Sequence, residues 1–188
     1  MSTLKVSTIS PLGTDATKTI TVGASGDTFK LTDGITVSGA GANTPAFKAI
    51  LSGNKTISAS TDTKIQFDSE VFDTDNAYDP STNYRFTVPS GKGGKYYVTL
   101  SVHTSVDGSG DNDEIIIATF VNGAMSTVGA MNRRFSSSSN RTVSTSGILT
   151  LSAGDYVEAY VYNTGGTTVY KEESWAYTFF SGYRLIGA

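Results

Sequence analysis

Between residues 96 and 106 the side chains alternate without a break. Tyr96, Val98, Leu100 and Val102 fall on one side, and Tyr97, Thr99, Ser101 and His103 on the other. A period of two marks a strand with one face on a core, because successive Cβ atoms point to opposite faces of a sheet. The rhythm returns in residues 147–162, which read as a hairpin: a strand, a tight turn at Ser152-Ala153-Gly154-Asp155, and a second strand. Leu149 and Leu151 share one face of the first strand; Val157, Ala159 and Val161 share one face of the second. The opposite face of that second strand carries Tyr156, Glu158, Tyr160 and Tyr162, unusually aromatic for a surface that meets only water. Ala, Leu, Glu and Lys nowhere cluster at helical spacing, so almost no helix is expected.

Composition narrows the function classes. Of 188 residues only 16% are charged, with 20 Gly and 10 Tyr, a balance that favours strands joined by turns. The net charge is −3 and no basic stripe exists, which argues against binding a phosphate backbone, so no nucleic-acid partner is expected. The absence of Cys removes disulfides, thiolate catalysis and cysteine-rich zinc sites. No apolar run approaches the ~20 residues of a helical membrane span, so no membrane insertion is expected. The opening Met1 to Val6 has no hydrophobic signal region, and the chain is expected to be made and kept in a cytosol.

Two regions are expected. Residues 1–44 carry short apolar pairs (Leu4/Val6, Ile20/Val22, Phe29/Leu31, Ile35/Val37) between Gly, Ser, Thr and Asp. Such short strands bury little alone and read as an attachment and trimerisation region in which several copies wind together. Residues 45–188 form the main domain, with about ten strands, a sandwich by strand spacing. Its expected strands include Ala46 to Leu51, Lys64 to Phe67, Tyr84 to Val88, Glu114 to Val121 and a return from Met125 to Met131, turned at Asn122-Gly123, where type I′ geometry needs positive φ. Residues 68–83 read as a long connection; residues 107–113, 132–140 and 163–173 read as loops. The closing segment alternates through Phe179, Tyr183 and Leu185.

Catalytic constellations are thin. His103, the only histidine, has no acid at a fixed neighbouring position and reads as a surface or interface residue. The carboxylate pairs Glu70/Asp73 and Glu172/Glu173, which in principle suit glycan hydrolysis, sit in expected loops where solvation is the default. Asp107, Asp111, Asp113 and Glu114 crowd one loop; Asp111 and Asp113 are weak calcium candidates, but EF-hand spacing is absent. Ser90 to Lys95 is no phosphate-binding loop, since a strand follows where a helix should begin. Arg133, Arg134 and Arg141 flank a serine run and read as a solvated loop or as suited to an anionic surface sugar; Tyr170, Trp175 and Tyr177 suit stacking on a sugar ring or packing in a core or interface. No enzyme and no required cofactor are expected.

Several landmarks in order carry a family resemblance: Ala46-Phe47, the Phe67 strand with its acidic follow-on, Tyr78-Asp79, Phe86-Thr87 with Pro89, Gly94 to Tyr97, Asn122-Gly123, Leu149 to Leu151 with Gly154 to Val157, and Phe180 to Leu185. Together they resemble the C1q-like domain, which shares its trimeric jelly roll with tumour necrosis factors. The resemblance implies an all-β, ten-stranded C1q/TNF-like jelly-roll sandwich, homotrimeric, preceded by the short Gly/Ser/Thr-rich β region. Within that family Asn43 to Phe47, Lys64 to Asp75 and Tyr78 to Thr87 are similar to bacteriophage virion proteins, particularly marine-phage tail fibres. This implies a virion fibre or appendage protein, assembled in the host bacterial cytoplasm and joined to other virion proteins through its N-terminal region. Receptor binding, to a host surface glycan or other receptor, is then expected in the head loops, with Asp107, Asp111, Arg133, Arg134, Arg141, Tyr170 and Trp175 as candidates. A neighbouring subunit is expected on the face of Tyr156, Tyr160 and Tyr162. C1q-like trimers sometimes hold calcium near their axis, which keeps calcium open as a ligand. The alternatives are a purely structural virion protein, a capsid decoration or tail adaptor without receptor binding, and a glycan-degrading spike.

Overall fold

The computed structural model describes residues 43–106, 113–126, 131–135, 139–165, 167–171 and 177–185. Residues 1–42, and with them the expected N-terminal strands, lie outside the described residues. The described chain is strand and turn, with no helix. In chain order the strands are β1 (Ala46–Ile50), β2 (Lys55–Ile57), β3 (Thr63–Lys64), β4 (Ser69–Asp73), β5 (Tyr78–Asp79), β6 (Arg85–Thr87) and β7 (Gly94–Val106). Then follow β8 (Asp113–Val121), β9 (Ala124–Met125), β10 (Met131–Phe135), β11 (Ser139–Leu151), β12 (Tyr156–Asn163), β13 (Thr167–Val169) and β14 (Phe179–Arg184). Among the described residues fourteen strands replace the expected ten. The added strands are β2, β5 and β13, of two or three residues and too short to show a period in the sequence, and β4 and β10, of five.

They form two antiparallel sheets. The first runs β2-β13-β7-β14-β1-β4, with β11 also paired to β7; the second runs β10-β8-β12-β6-β5, with β3 on β12 and β9 on β8. The spine of the first sheet is the sharpest alternation in the sequence: β7 pairs along all 13 residues with β11, from Ser139↔Val106 to Leu151↔Gly94. Tyr96, Val98, Leu100 and Val102 are buried as expected, facing Val157, Ala159, Val161, Ile115 and Ile117 of the other sheet in one core. An aromatic cluster bridges the two layers. Phe47 of β1 stacks on Phe86 of β6 at 4.7 Å and on Tyr78 at 5.3 Å, and meets Phe180 of β14 edge-on at 5.0 Å.

Residues 147–162 are not a hairpin. The turn forms: Asp155 donates its backbone N–H to Ser152 O, and the Asp155 carboxylate accepts from Ser152 N–H. But β11 pairs with β7, whereas β12 pairs with β8, β6 and β3, so the chain crosses from one sheet to the other. The turn is tied to the end of β6 instead, by Gly154 N–H to Val88 O and Val88 N–H to Asp155 O. Leu149 and Leu151 thus enter the core from one side and Val157, Ala159 and Val161 from the other.

Three expected connections hold strands. Residues 68–83 contain β4 and β5, residues 132–140 contain β10 and the start of β11, and residues 163–173 contain β13. All are polar, short or at a sheet edge, so they carry no alternating apolar signal. Of the expected return strand from Met125 to Met131, β9 ends at Met125 and β10 begins at Met131, while residues 127–130 lie outside the described residues. In β14 the core residue is Phe180, fully buried beside Gly182; Phe179 and Tyr183 lie on the outer face. The Asn122-Gly123 turn is as expected, with φ of 51° and 81° joining β8 to β9.

Candidate functional site

One end of the sandwich gathers most of the expected receptor residues. Antiparallel register sets Arg141 opposite Thr104, Ser139 opposite Val106, Arg133 opposite Ile115 and Arg134 opposite Glu114. Tyr170 follows β13 at the same end, its N–H bonded to His103 O at 2.9 Å. Arg133 and Arg134 therefore lie on an edge strand, not in the exposed loop expected, and Arg141 lies inside β11. Asp107, Asp111 and Trp175 lie outside the described residues, as do Glu172 and Glu173.

Hydroxyls tie the strands together at this end. Thr104 Oγ1 lies 2.6 Å from Thr167 Oγ1 and donates to Thr168 O, and Ser105 Oγ accepts from Thr168 N–H at 3.1 Å. Thr167 Oγ1 also reaches Ser105 O. Glu114 and Thr164 clasp β8 to the end of β12: Thr164 Oγ1 accepts Glu114 N–H at 2.9 Å and Thr164 N–H donates to Glu114 O at 3.1 Å. His103 is buried at 6% exposure, which removes the surface half of the surface-or-interface expectation. Its Nδ1 is 2.8 Å from Thr142 Oγ1, and its ring lies 5.6 Å from that of Tyr170. Burial holds the imidazole below its ordinary pKa.

The carboxylates serve turns. Asp73 of β4 accepts N–H bonds from Tyr78 and Asp75, at 2.7 and 3.2 Å. Glu70, with which it was paired in the sequence, is exposed on the same strand and not in a loop; burial first, then the charges of Asp73 and Asp79, raise its pKa. Asp79 caps its own turn, accepting N–H bonds from Ser81, Thr82 and Asn83, which hold its carboxyl far below the usual range. Asp113 opens β8, and among the described residues no group of three or more His, Cys, Asp or Glu is placed to hold a metal ion.

The two outer faces differ. On β12, Tyr156, Tyr160 and Tyr162 share a face as expected, but neighbours of the same chain already pack on Tyr156 and Tyr160. The Arg85 guanidinium sits 4.1 Å from the centre of the Tyr156 ring, and Tyr160 stacks on Phe120 at 4.1 Å. Glu158, between them, is 5% exposed and paired with Lys64 at 2.6 Å. The other sheet exposes more. Ile148 is 52% exposed and stands opposite Tyr97, which stands opposite Tyr183, 37% exposed, with their rings 5.6 Å apart. Phe72, 48% exposed, lies opposite Lys48 at the β4 edge. No run of the sequence places these residues together; only the register of β11, β7, β14, β1 and β4 does.

Two antiparallel seven-stranded sheets closed over one aromatic core define a jelly-roll sandwich of the C1q/TNF-like kind. The chain belongs to the C1q domain family, whose pattern it matches over residues 46–185. Among solved structures it is similar to the globular domain of zebrafish complement 1qA protein (TM-score 0.47, 17% identity, 75% of this chain and 97% of that one). It is similar to murine APRIL (TM-score 0.52, 13% identity, 74% and 98%) and to Eiger TNF from S. frugiperda (0.49, 15%, 76% and 93%). At 13% identity the likeness to murine APRIL bears on fold alone. No curated protein sequence matches the chain.

Proposed function

We propose that the chain is a homotrimeric bacteriophage fibre or appendage protein whose C1q-like head binds the host cell surface without chemistry. Residues 1–44 attach it to other virion proteins and help the three copies to assemble, and residues 45–188 are the head. The observation that carries the reading is the gathering of the positions of Arg133, Arg134, Arg141 and Tyr170 at one end of the sandwich. The likeness of Lys64 to Asp75 and Tyr78 to Thr87 to marine-phage fibre segments supports the virion setting. Three identical heads turn weak single contacts into avidity if all three reach the surface together.

The outer face of the first sheet suits the subunit contact better than the β12 tyrosines do. The outer face of β4, β1, β14, β7 and β11 carries the exposed Phe72, Tyr183 and Ile148 together with the half-buried Tyr97, apolar surface that water disfavours. Tyr156 and Tyr160 are each half-buried, with Arg85 over the first and Phe120 stacked on the second. Labelled full-length protein is expected to bind host cells and to slow virion adsorption in a dose-dependent way. Absence of both effects would point to the purely structural reading, a capsid decoration or tail adaptor.

A further inference from the structure

At one open side of the sandwich a groove of about 340 Å³ lies between β2 and β3. β2 ends the first sheet, and β3 pairs only with β12, so each strand turns one unpaired edge outward. The groove is lined by Asn54, Lys55, Thr56, Thr63, Lys64 and Gln66, with Ile57 as its one apolar member. Each lysine is already matched by a carboxylate: Lys55 Nζ by Asp68 at 2.8 Å, Lys64 Nζ by Glu158 at 2.6 Å. The lining is thus dense in donors and acceptors yet without net charge. β12 beside it carries Tyr160 opposite Lys64 in register.

We infer that this groove is a binding site for a neutral saccharide. A polyhydroxylated, uncharged ligand matches two hydroxyls, two amides and two neutralised ion pairs, since every ligand hydroxyl both donates and accepts. An anion fits badly: it would compete for an ammonium with a carboxylate, one of them buried, whose loss of partner is strongly unfavourable. An apolar ligand would strip water from the amides and hydroxyls without replacing their bonds. An extended peptide would find edges of three and two residues, too short for a ladder. The volume is at the lower end of the ~300–1,000 Å³ of small-molecule sites. This deepens the host-surface reading and rests on it for the source of the sugar, while the groove can be tested without any cell.

Saturation-transfer NMR on the full chain, with cellobiose, maltose and chitobiose as neutral probes and glucuronate and inorganic phosphate as charged ones, is the test. At least one neutral disaccharide is expected to bind at millimolar concentration, and neither charged probe. Thr56→Trp, which fills the groove from an exposed edge position, is expected to abolish binding; Gln66→Ala is expected to weaken it about threefold to tenfold, the loss of one neutral hydrogen bond. Lys95→Gln, on another strand, leaves it unchanged. Unfolding curves that overlay the parent show the variants folded. Silence from all neutral disaccharides, binding of the charged probes instead, or full binding by folded Thr56→Trp overturns the inference. If Thr56→Trp loses disaccharide but the parent never slows adsorption, the groove stands and host attachment falls. If Thr56→Trp slows adsorption as well as the parent while no disaccharide binds either, attachment stands and the groove falls.

Discussion

Gly182 shows how little room the core leaves. A Cβ built there would meet Tyr97 O at 3.0 Å and Phe47 Cε1 at 3.1 Å, one of them backbone in the central strand. The glycine is thus required by the close approach of β14 to β7, and Gly182→Ala is expected to cost about 1–3 kcal/mol, as overpacking does. Urea unfolding measures it; an unchanged midpoint would show that β7 and β14 yield. His103 makes a pH prediction. Its burial disfavours the imidazolium, so the folded state binds fewer protons than the unfolded chain, whose histidine titrates near ~6.5. The sign follows: this contribution is fully present above that value and is lost as pH falls through it. Thermal midpoints taken between about pH 7.5 and 5 are expected to fall less steeply in His103→Gln than in the parent. Parallel slopes would remove the histidine from the acid response.

At the scale of elements the clasp between the β8–β9 turn and the start of β12 is the most testable. Asn122 sits at φ 51°, donates from Nδ2 to Asp155 Oδ1 at 2.8 Å and accepts Tyr156 N–H at 3.0 Å. Asn122→Gly keeps the backbone and loses about 0.5–1.5 kcal/mol per bond. Asn122→Ala loses the same bonds and adds about 1–2 kcal/mol for a Cβ in the left-handed region. Equal unfolding free energies for the two variants would show that backbone strain plays no part. This turn was legible because its geometry depends on two adjacent residues. β7 was legible because its four buried apolar side chains, Tyr96, Val98, Leu100 and Val102, repeat at a strict spacing.

The crossing from β11 to β12 was hidden for a physical reason. Apolar faces at Leu149/Leu151 and Val157/Ala159/Val161 are equally required whether the strands pair or face each other across a core. β10 was hidden because Met131 to Phe135 is polar in the middle and pairs only at an edge, where no core face imposes alternation. Of the candidate site, the residue types were visible, but their convergence depends on pairings between strands far apart in the chain. The apolar band of Phe72, Tyr183, Tyr97 and Ile148 drew its members from four strands, whereas the tyrosines of β12 stood together in one and attracted the interface reading first.

For the whole molecule, the two sheets are joined most strongly by the rings around Phe47. Phe47→Ala removes a stack onto Phe86 and Tyr78 and the edge contact to Phe180, and is expected to cost about 3–5 kcal/mol. A change near the surface-substitution range of ±0.5 kcal/mol would mean that the layers are held elsewhere. The central claim is an assembly in which three such sandwiches meet through the outer face of the first sheet. Light scattering on the full chain at micromolar concentration, run on the parent, Ile148→Glu and Tyr160→Glu, tests it most directly. The account predicts a trimer for the parent, smaller species for Ile148→Glu, and a trimer for Tyr160→Glu. A monomeric parent, or a trimer broken by Tyr160→Glu and untouched by Ile148→Glu, would contradict it.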